Sequence, residues 1–583
     1  VDDPEERAAR ADATAGSGSA ADTAAAATAD AHEAEPERRA TRADRAGAAD
    51  GAGAAGGAGT AVPADPAVRG AGAAGGGAGA REPALRAALP PGFAAAVVFV
   101  SAAAVLVLEI LALRLIAPYV GVTLQTNTAV IGAALTAIAL GAATGGRVAD
   151  RTDPGRLLGP MLLIAAALTL LTLPIVRFAG EAARGSTDVS AILLLAMASV
   201  VAPAALLSAV TPMVAKLQLH DLGRTGTVVG RLSGIGTAGA ILATFATGFV
   251  LVAAFPTAAI LIGTGAVVAL TGAGVLWLRW RAVRGADRGS VPPAAVALLP
   301  LSLLLVALAP NPCQRETEYH CARVVADPDR PTGRLLELDT LRHSYVDLAD
   351  PEYLEFEYTR AIAAVADVIR PQREPVRALH IGGGGFTMPR YLAATRPGTR
   401  STVLEIDGGV VQLGRDRLGV DRIPDLTVRV GDARTGLLDQ PARAYDLVVG
   451  DAFGGMAVPW HLTTREVAEQ VHASLRDDGL YVVNVIDYQP DRFARAEIAT
   501  LRSVFEHVAM LGSPATVAGQ AGGNHILVAG RRQLPLRAIS EGLAERGAWL
   551  VLDEAGTTRY AGGAEVLTDD HAPVDQLVST YPS

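Results

Sequence analysis

The chain has 583 residues, of which 50% are hydrophobic and only 19% charged, and its mean hydropathy is positive. That length excludes a single core, and that balance excludes a wholly soluble enzyme, so two or more domains with a membrane portion are expected. A net charge of −9 argues against nucleic acid as a partner.

Residues 1–90, typified by "AATADAHEAEPERRATRADRAGAADGAGAAGGAGT", contain no aromatic residue and no apolar period. Such a segment buries too little surface to offset its ordering entropy. It also lacks the apolar core of a signal peptide, and it is expected to be a disordered Ala/Gly-rich tail.

From Pro91 to Pro310 long apolar runs alternate with short polar breaks. A bilayer core needs about 20 apolar residues per helix. Seven spans are read: 93–117, 127–146, 157–176, 189–212, 232–254, 257–278 and 294–310. Arginine and lysine crowd the even connections, with Arg147, Arg151 and Arg156 in the second, Lys216, Arg224 and Arg231 in the fourth, and Arg279, Arg281, Arg284 and Arg288 in the sixth. Those connections and the N-terminus are therefore expected in the cytoplasm, and an odd helix count puts everything after Pro310 outside. Cys313 and Cys321 open that outer part, either as a disulfide or as two unrelated thiols, with no histidine pattern for zinc. Within the first span Glu109 is an ionisable group in hydrocarbon, read either as transport-relevant or as a structural partner of Arg114. Small residues at many i, i+4 steps in "GRLSGIGTAGAILATFATG" predict close helix packing. The stretch "GRVADRTDPGR" resembles the loop between helices two and three of major facilitator transporters, although seven helices are too few for that fold of twelve.

After Pro310 the period changes. "YHCARVVAD" and "GRLLELDTLRHSYVDL" predict a small β-hairpin region over 311–350, and "FEYTRAIAAVADVI" predicts a helix. Over 351–583 strands and helices then alternate. "VRALHI", "STVLEID", "LTVRVGD", "YDLVVGDAF", "LYVVNVID" and "HILVAG" are the strands. That order implies a doubly wound, Rossmann-like sheet whose ligands sit at the carboxyl ends of its strands. The glycines Gly382, Gly383, Gly384 and Gly385 follow the first strand, Glu405 ends the second, Asp432 the third and Asp451 the fourth. A glycine loop lets backbone approach a ligand, and a carboxylate after the second strand suits ribose hydroxyls.

"LHIGGGGF", "VLEID", "VGDA" and "YDLVVGDAF", preceded by "ETEYHCARVV" and "LELDTLRHSYVD", resemble the spermidine synthases, or polyamine aminopropyltransferases. The membrane runs in front and the closing "LTDDHAPVDQL" resemble the membrane-bound branch of that family, a facilitator-like region fused to such a domain. The resemblance implies a class I methyltransferase/spermidine synthase fold using decarboxylated S-adenosylmethionine, or S-adenosylmethionine itself, without metal. It further implies that Gly382 to Gly384 lie against the nucleoside, that Glu405 binds the ribose, that Asp432 sits near the adenine and that Asp451 orients or deprotonates the attacking amine. His320 and His343 stand near two family glutamines, one against the cofactor and one against the substrate.

Where the family reads Gly-Gly-Gly-Asp-Gly-Gly, the aspartate is Gly385 here and the next positions are Phe386 and Thr387; after the fourth strand Gly454 replaces a second aspartate. Those absent acids grip cationic amines, and Asp569 and Asp570 replace them if the C-terminal segment folds over the pocket; otherwise "TDDHAPVD" is a capped polar turn. The leading expectation is a membrane-anchored aminopropyltransferase with Asp451 as acid/base residue and a polyamine or nucleoside ligand, with a homodimer allowed. The alternatives are an S-adenosylmethionine-dependent methyltransferase and a non-catalytic membrane binding or transport module for polyamines or nucleosides.

Overall fold

A computed structural model describes residues 89–186, 188–219, 221–282, 293–453, 458–547 and 549–579. The tail expected over 1–90 lies outside them except for Leu89 and Pro90. Six described helices are long and apolar enough to cross a membrane: α1 Pro91–Val120, α2 Leu124–Arg151, α3 Pro154–Ala182, α4 Val189–Gln218, α5 Leu222–Ala254 and α6 Thr257–Ala282. They overrun the expected apolar spans because polar turns such as "KLQ" and "GRTGTVV" continue the helical hydrogen bonding beyond the apolar stretch. The seventh apolar segment forms α7, Pro293–Leu308, a helix of 16 residues. At 1.5 Å per residue it is roughly 24 Å long, shorter than a hydrocarbon core of roughly 30 Å.

Asp153 and Asp188 cap α3 and α4 by accepting from the backbone N–H groups of Gly155 and Ser190. Small residues draw the helices together as expected. A Cβ on Gly239 of α5 would lie 2.5 Å from the Phe99 carbonyl oxygen of α1.

The two ends of the bundle differ. At one end Arg279 pairs with Asp153 at 3.3 Å and Lys216 with Asp150 at 3.6 Å. At the other, Arg177 donates to the Ala309 carbonyl at 3.2 Å, and the Thr257 N–H at the start of α6 donates to Glu316 at 2.6 Å. The α/β region thus adjoins the end opposite the arginine-rich connections.

The segment read as a hairpin region is a four-stranded antiparallel sheet, β1 Arg315–Glu316, β2 Cys321–Ala326, β3 Gly333–Leu338 and β4 Leu341–Asp347, in that order. Helix α8 (Glu357–Val368) follows, then β5 Arg377–Ile381, α9 Thr387–Thr395, β6 Arg400–Glu405, α10 Gly408–Leu418, β7 Leu426–Val430, α11 Ala433–Leu438 and β8 Tyr445–Gly450. The chain continues through α12 Arg465–Ser474, β9 Leu475–Asp487, α13 Arg492–Arg502, β10 His507–Gly512, β11 Gly523–Gly530 and β12 Leu550–Leu552. These strands make one sheet in the order β12-β10-β11-β9-β8-β5-β6-β7. From β9 to β7 every neighbour is parallel, whereas β10, β11 and β12 pair antiparallel. The strand order reverses between β5 and β8, so the loops after those two strands open a crevice of the kind that binds ligands in such sheets.

Candidate functional site

The crevice begins with an apolar strand that cannot continue. Ala378 to Ile381 are buried in β5, and the chain then turns through Gly382 at φ +94°. A Cβ there would stand 2.2 Å from the Asp451 carbonyl oxygen, so only glycine lets the loop lie against the end of β8. On the far side of the loop, Gly384 at φ +48° abuts the His343 ring, and the Gly385 N–H donates to the Ser344 hydroxyl at 3.0 Å. Phe386 is also left-handed, at φ +60°, and its ring is wholly buried with Val403, Val411, Val420 and Ile423. Left-handed backbone costs a non-glycine residue about 1–2 kcal/mol, which burial of the ring, worth about 1.5–3 kcal/mol, offsets. The departure at Phe386 therefore preserves the turn.

Glu405 fixes this loop from beneath. One carboxylate oxygen accepts from the Gly383 and Gly384 N–H groups at 2.7 and 3.2 Å, and the other accepts from the Asp407 N–H at 2.9 Å. Three backbone donors leave roughly one of the carboxylate's four lone-pair positions for a ligand. Asp407 caps α10 through Gly409 and Val410 and accepts the Thr317 hydroxyl at 2.5 Å. Asp432 caps α11 through the Arg434 N–H at 2.8 Å and lies 3.5 Å from His461 Nε2.

Asp451 is held differently. Its oxygens accept from Asn484 Nδ2 at 2.9 Å and from the Tyr358 hydroxyl at 3.3 Å. Asn524 donates to Asn484 Oδ1 at 2.9 Å, which turns the Asn484 amide N–H₂ toward the carboxylate. Burial pushes the Asp451 carboxyl up to about 6, against the pull of these two donors. A carboxylate so poised takes a proton near neutrality.

The other expected residues are distributed as follows. His343 bonds Ser344 at 3.0 Å, and burial, helped by His320, lowers it to about 4, so its ring is neutral at pH 7. His320 is engaged with Asp339 at 2.9 Å. Asp569 accepts from Thr464 at 2.7 Å and from Arg434 at 2.5 Å, so the C-terminal segment reaches the helix that follows Asp432, with that carboxylate already paired. Asp570 is exposed in the turn closed by Thr568 and His571. Gly454 lies outside the described residues. Glu109 belongs to α1, apart from this site, and the Glu109–Arg114 pairing is not formed: Arg114 instead donates to backbone carbonyls of the α/β region. Cys313 and Cys321 are joined by a disulfide. Among the described residues no cluster of three or more His, Cys, Asp or Glu side chains is arranged to hold a metal.

Tyr358, Asn484 and Thr317 were not legible as site residues. Tyr358 lies within an amphipathic helix and Asn484 in an apolar strand, where a single polar residue carries no positional signal. Asp407 had one, as the second acid in "VLEID".

No family model matches the chain. A curated polyamine aminopropyltransferase of Vibrio vulnificus is 31% identical over 177 residues, which is 30% of this chain and 56% of that protein. The chain therefore spans little more than half the length of this curated relative. The crystal structure of a probable spermidine synthase from Corynebacterium glutamicum is 32% identical, with 46% of this chain and 98% of that chain covered and a TM-score of 0.42. A spermidine synthase in complex with the transition state analogue AdoDATO is 17% identical, over 45% of this chain and 82% of that chain, with a TM-score of 0.30.

Proposed function

We infer that the α/β region of this chain, which is spermidine-synthase-like by homology, transfers an aminopropyl group from decarboxylated S-adenosylmethionine to a polyamine. The observation that carries the reading is Asp451, whose backbone lies against Gly382 and whose carboxyl is lifted to about 6 beside a glycine loop already held by a carboxylate. Glycine at 382 and 384 lets the loop pack directly against the Asp451 backbone and the His343 ring, which supports a loop whose own backbone faces the ligand. In the reaction an amine nitrogen attacks the methylene carbon bonded to the sulfonium. The carbon–sulfur bond breaks with its electrons on sulfur, and methylthioadenosine leaves. The attacking amine must be neutral, and Asp451 receives its proton. Glu405 and Asp432 would hold the nucleoside, and Tyr358 and Asn484 would aim Asp451.

The methyltransferase alternative uses the same loop, and the donor separates the two. Purified full-length protein with a polyamine should release methylthioadenosine from the decarboxylated donor and not from S-adenosylmethionine. Turnover with the carboxylated donor alone would replace this reading by methyl transfer.

The six long helices would hold this domain at a membrane, on its extracytoplasmic face. Two features support that side: the basic connections occupy the opposite end of the bundle, and a disulfide lies where the helices meet the domain. Thiol labelling of intact cells should modify Cys313 and Cys321 only after external reductant. With an impermeant reagent and reductant, labelling only after lysis would reverse the side, whereas labelling of intact cells without reductant would remove the disulfide and keep the side.

A further inference from the structure

Between the bundle and the nucleoside loop the chain makes one tight turn, Thr317 to His320, closed by the Thr317 N–H on the His320 carbonyl at 2.8 Å. Its upper side is tied to the site. The Thr317 hydroxyl donates to Asp407, the Asp407 N–H to Glu405, and Glu405 grips Gly383 and Gly384. The lower side faces a recess of about 210 Å³ lined by Arg114, Glu316, Tyr319, His320 and Asp339 among others. Across this recess Arg114 reaches from the last two turns of α1 to donate one guanidinium nitrogen to the Thr317 carbonyl and another to the Glu318 carbonyl, each at 2.5 Å. A planar fork with two parallel donors fits two successive carbonyls, which a single ammonium does not match.

We propose that Arg114 is a positioning residue for the nucleoside site, so that helix α1 sets the pocket through the Thr317–His320 turn and Asp407. The inference rests on the nucleoside reading above and adds that the bundle is a working part of the site, more than its anchor. A route of discrete bonds carries it: guanidinium to turn, turn to Asp407, Asp407 to Glu405, Glu405 to glycine loop. Arg177 offers a matched control. It also joins the bundle to the segment that follows α7, through the Ala309 carbonyl and Asn311, and lines the same recess, but its hydrogen bonds go to that segment and not to the turn.

The test is methylthioadenosine affinity of the full-length protein in lipid nanodiscs, with melting temperature measured on each variant. Arg114→Met should weaken binding about tenfold and raise KM for the donor with kcat largely kept. Arg114→Lys should restore part of the loss, and Arg177→Met should stay within about twofold of the parent. Thr317→Val combined with Arg114→Met should cost less than the sum of the two, because both cut one route. Equal affinity in Arg114→Met and the parent overturns the inference, as does an equal loss in Arg177→Met that follows the melting temperature. A parent protein that binds no methylthioadenosine instead overturns the functional reading beneath it.

Discussion

The two sides of the glycine loop use a carboxylate in opposite ways. Glu405, on the β6 side, is met by three backbone N–H groups, which no rotamer change can withdraw. Asp451, on the β8 side, has two side-chain donors, one of them at 3.3 Å, and burial lifts it to about 6. The first is held by the main chain and shapes the loop. Under the function proposed above, the second is the group that takes the proton.

Breaking the proton-accepting side should give the largest effect. Asp451→Asn should lower turnover by about 10²–10⁴-fold, the usual contribution of a general base, while methylthioadenosine affinity changes little. Loss of affinity in parallel with turnover would erase the distinction between the two carboxylates. Next comes the fixed side. Glu405→Gln removes charge-assisted bonds to the loop, each worth about 1.5–3 kcal/mol, and should weaken nucleoside binding by about 10- to 100-fold. Here kcat at saturating donor should fall far less than in Asp451→Asn.

A pH profile sharpens the same contrast. The base must be ionised, so kcat/KM should fall as pH drops through about 6. Tyr358→Phe removes a donor that favours the ionised form, so the acid limb should move upward, with activity at pH 6 falling several-fold more than at pH 8. An unshifted limb would show that a different group titrates.

The contrast also marks what could be read in the chain. Apolar length announced the bundle, because a bilayer imposes a minimum run on every span; Pro293–Leu308 fell near that minimum, and there the count of spans and helices diverged. Strand–glycine–helix alternation announced the sheet from β5 to β9. Strand β10 was not read, since "HVAMLG" follows helix α13 without a glycine or proline to punctuate it. In the site, Glu405, Asp432 and Asp451 were legible because strand ends are predictable places. Their partners were not: Tyr358 is 93 residues from Asp451, Thr317 is 90 from Asp407, and such pairs exist only once the sheet has formed. For the same reason Asp569 read as a spare amine ligand, whereas Arg434, 135 residues away, occupies it.

The smallest effect expected concerns a buried acid that serves neither side. Glu497 of α13 is wholly enclosed, one of its oxygens has no partner, and burial raises it to about 8. Its folded pKa lies above the unfolded value near 4.5, so the folded state binds the extra proton between these limits. The linked stability is fully present below about 4.5 and is lost as pH rises through about 8, with a slope between those limits of about 1.4 kcal/mol for each pH step of one. His380, whose ring nitrogens lack partners in the core, works in reverse: burial lowers it to about 3, so its contribution is complete above about 6.5 and vanishes as pH falls. The two changes oppose each other between about 4.5 and 6.5, which leaves the interval from pH 7 to 9 to Glu497. Melting temperature should decline across that interval in the parent and stay nearly level in Glu497→Gln, with the pH dependence of turnover unchanged. A decline that persists in Glu497→Gln would assign the titration to another group, and a shifted turnover profile would tie this acid to Asp451.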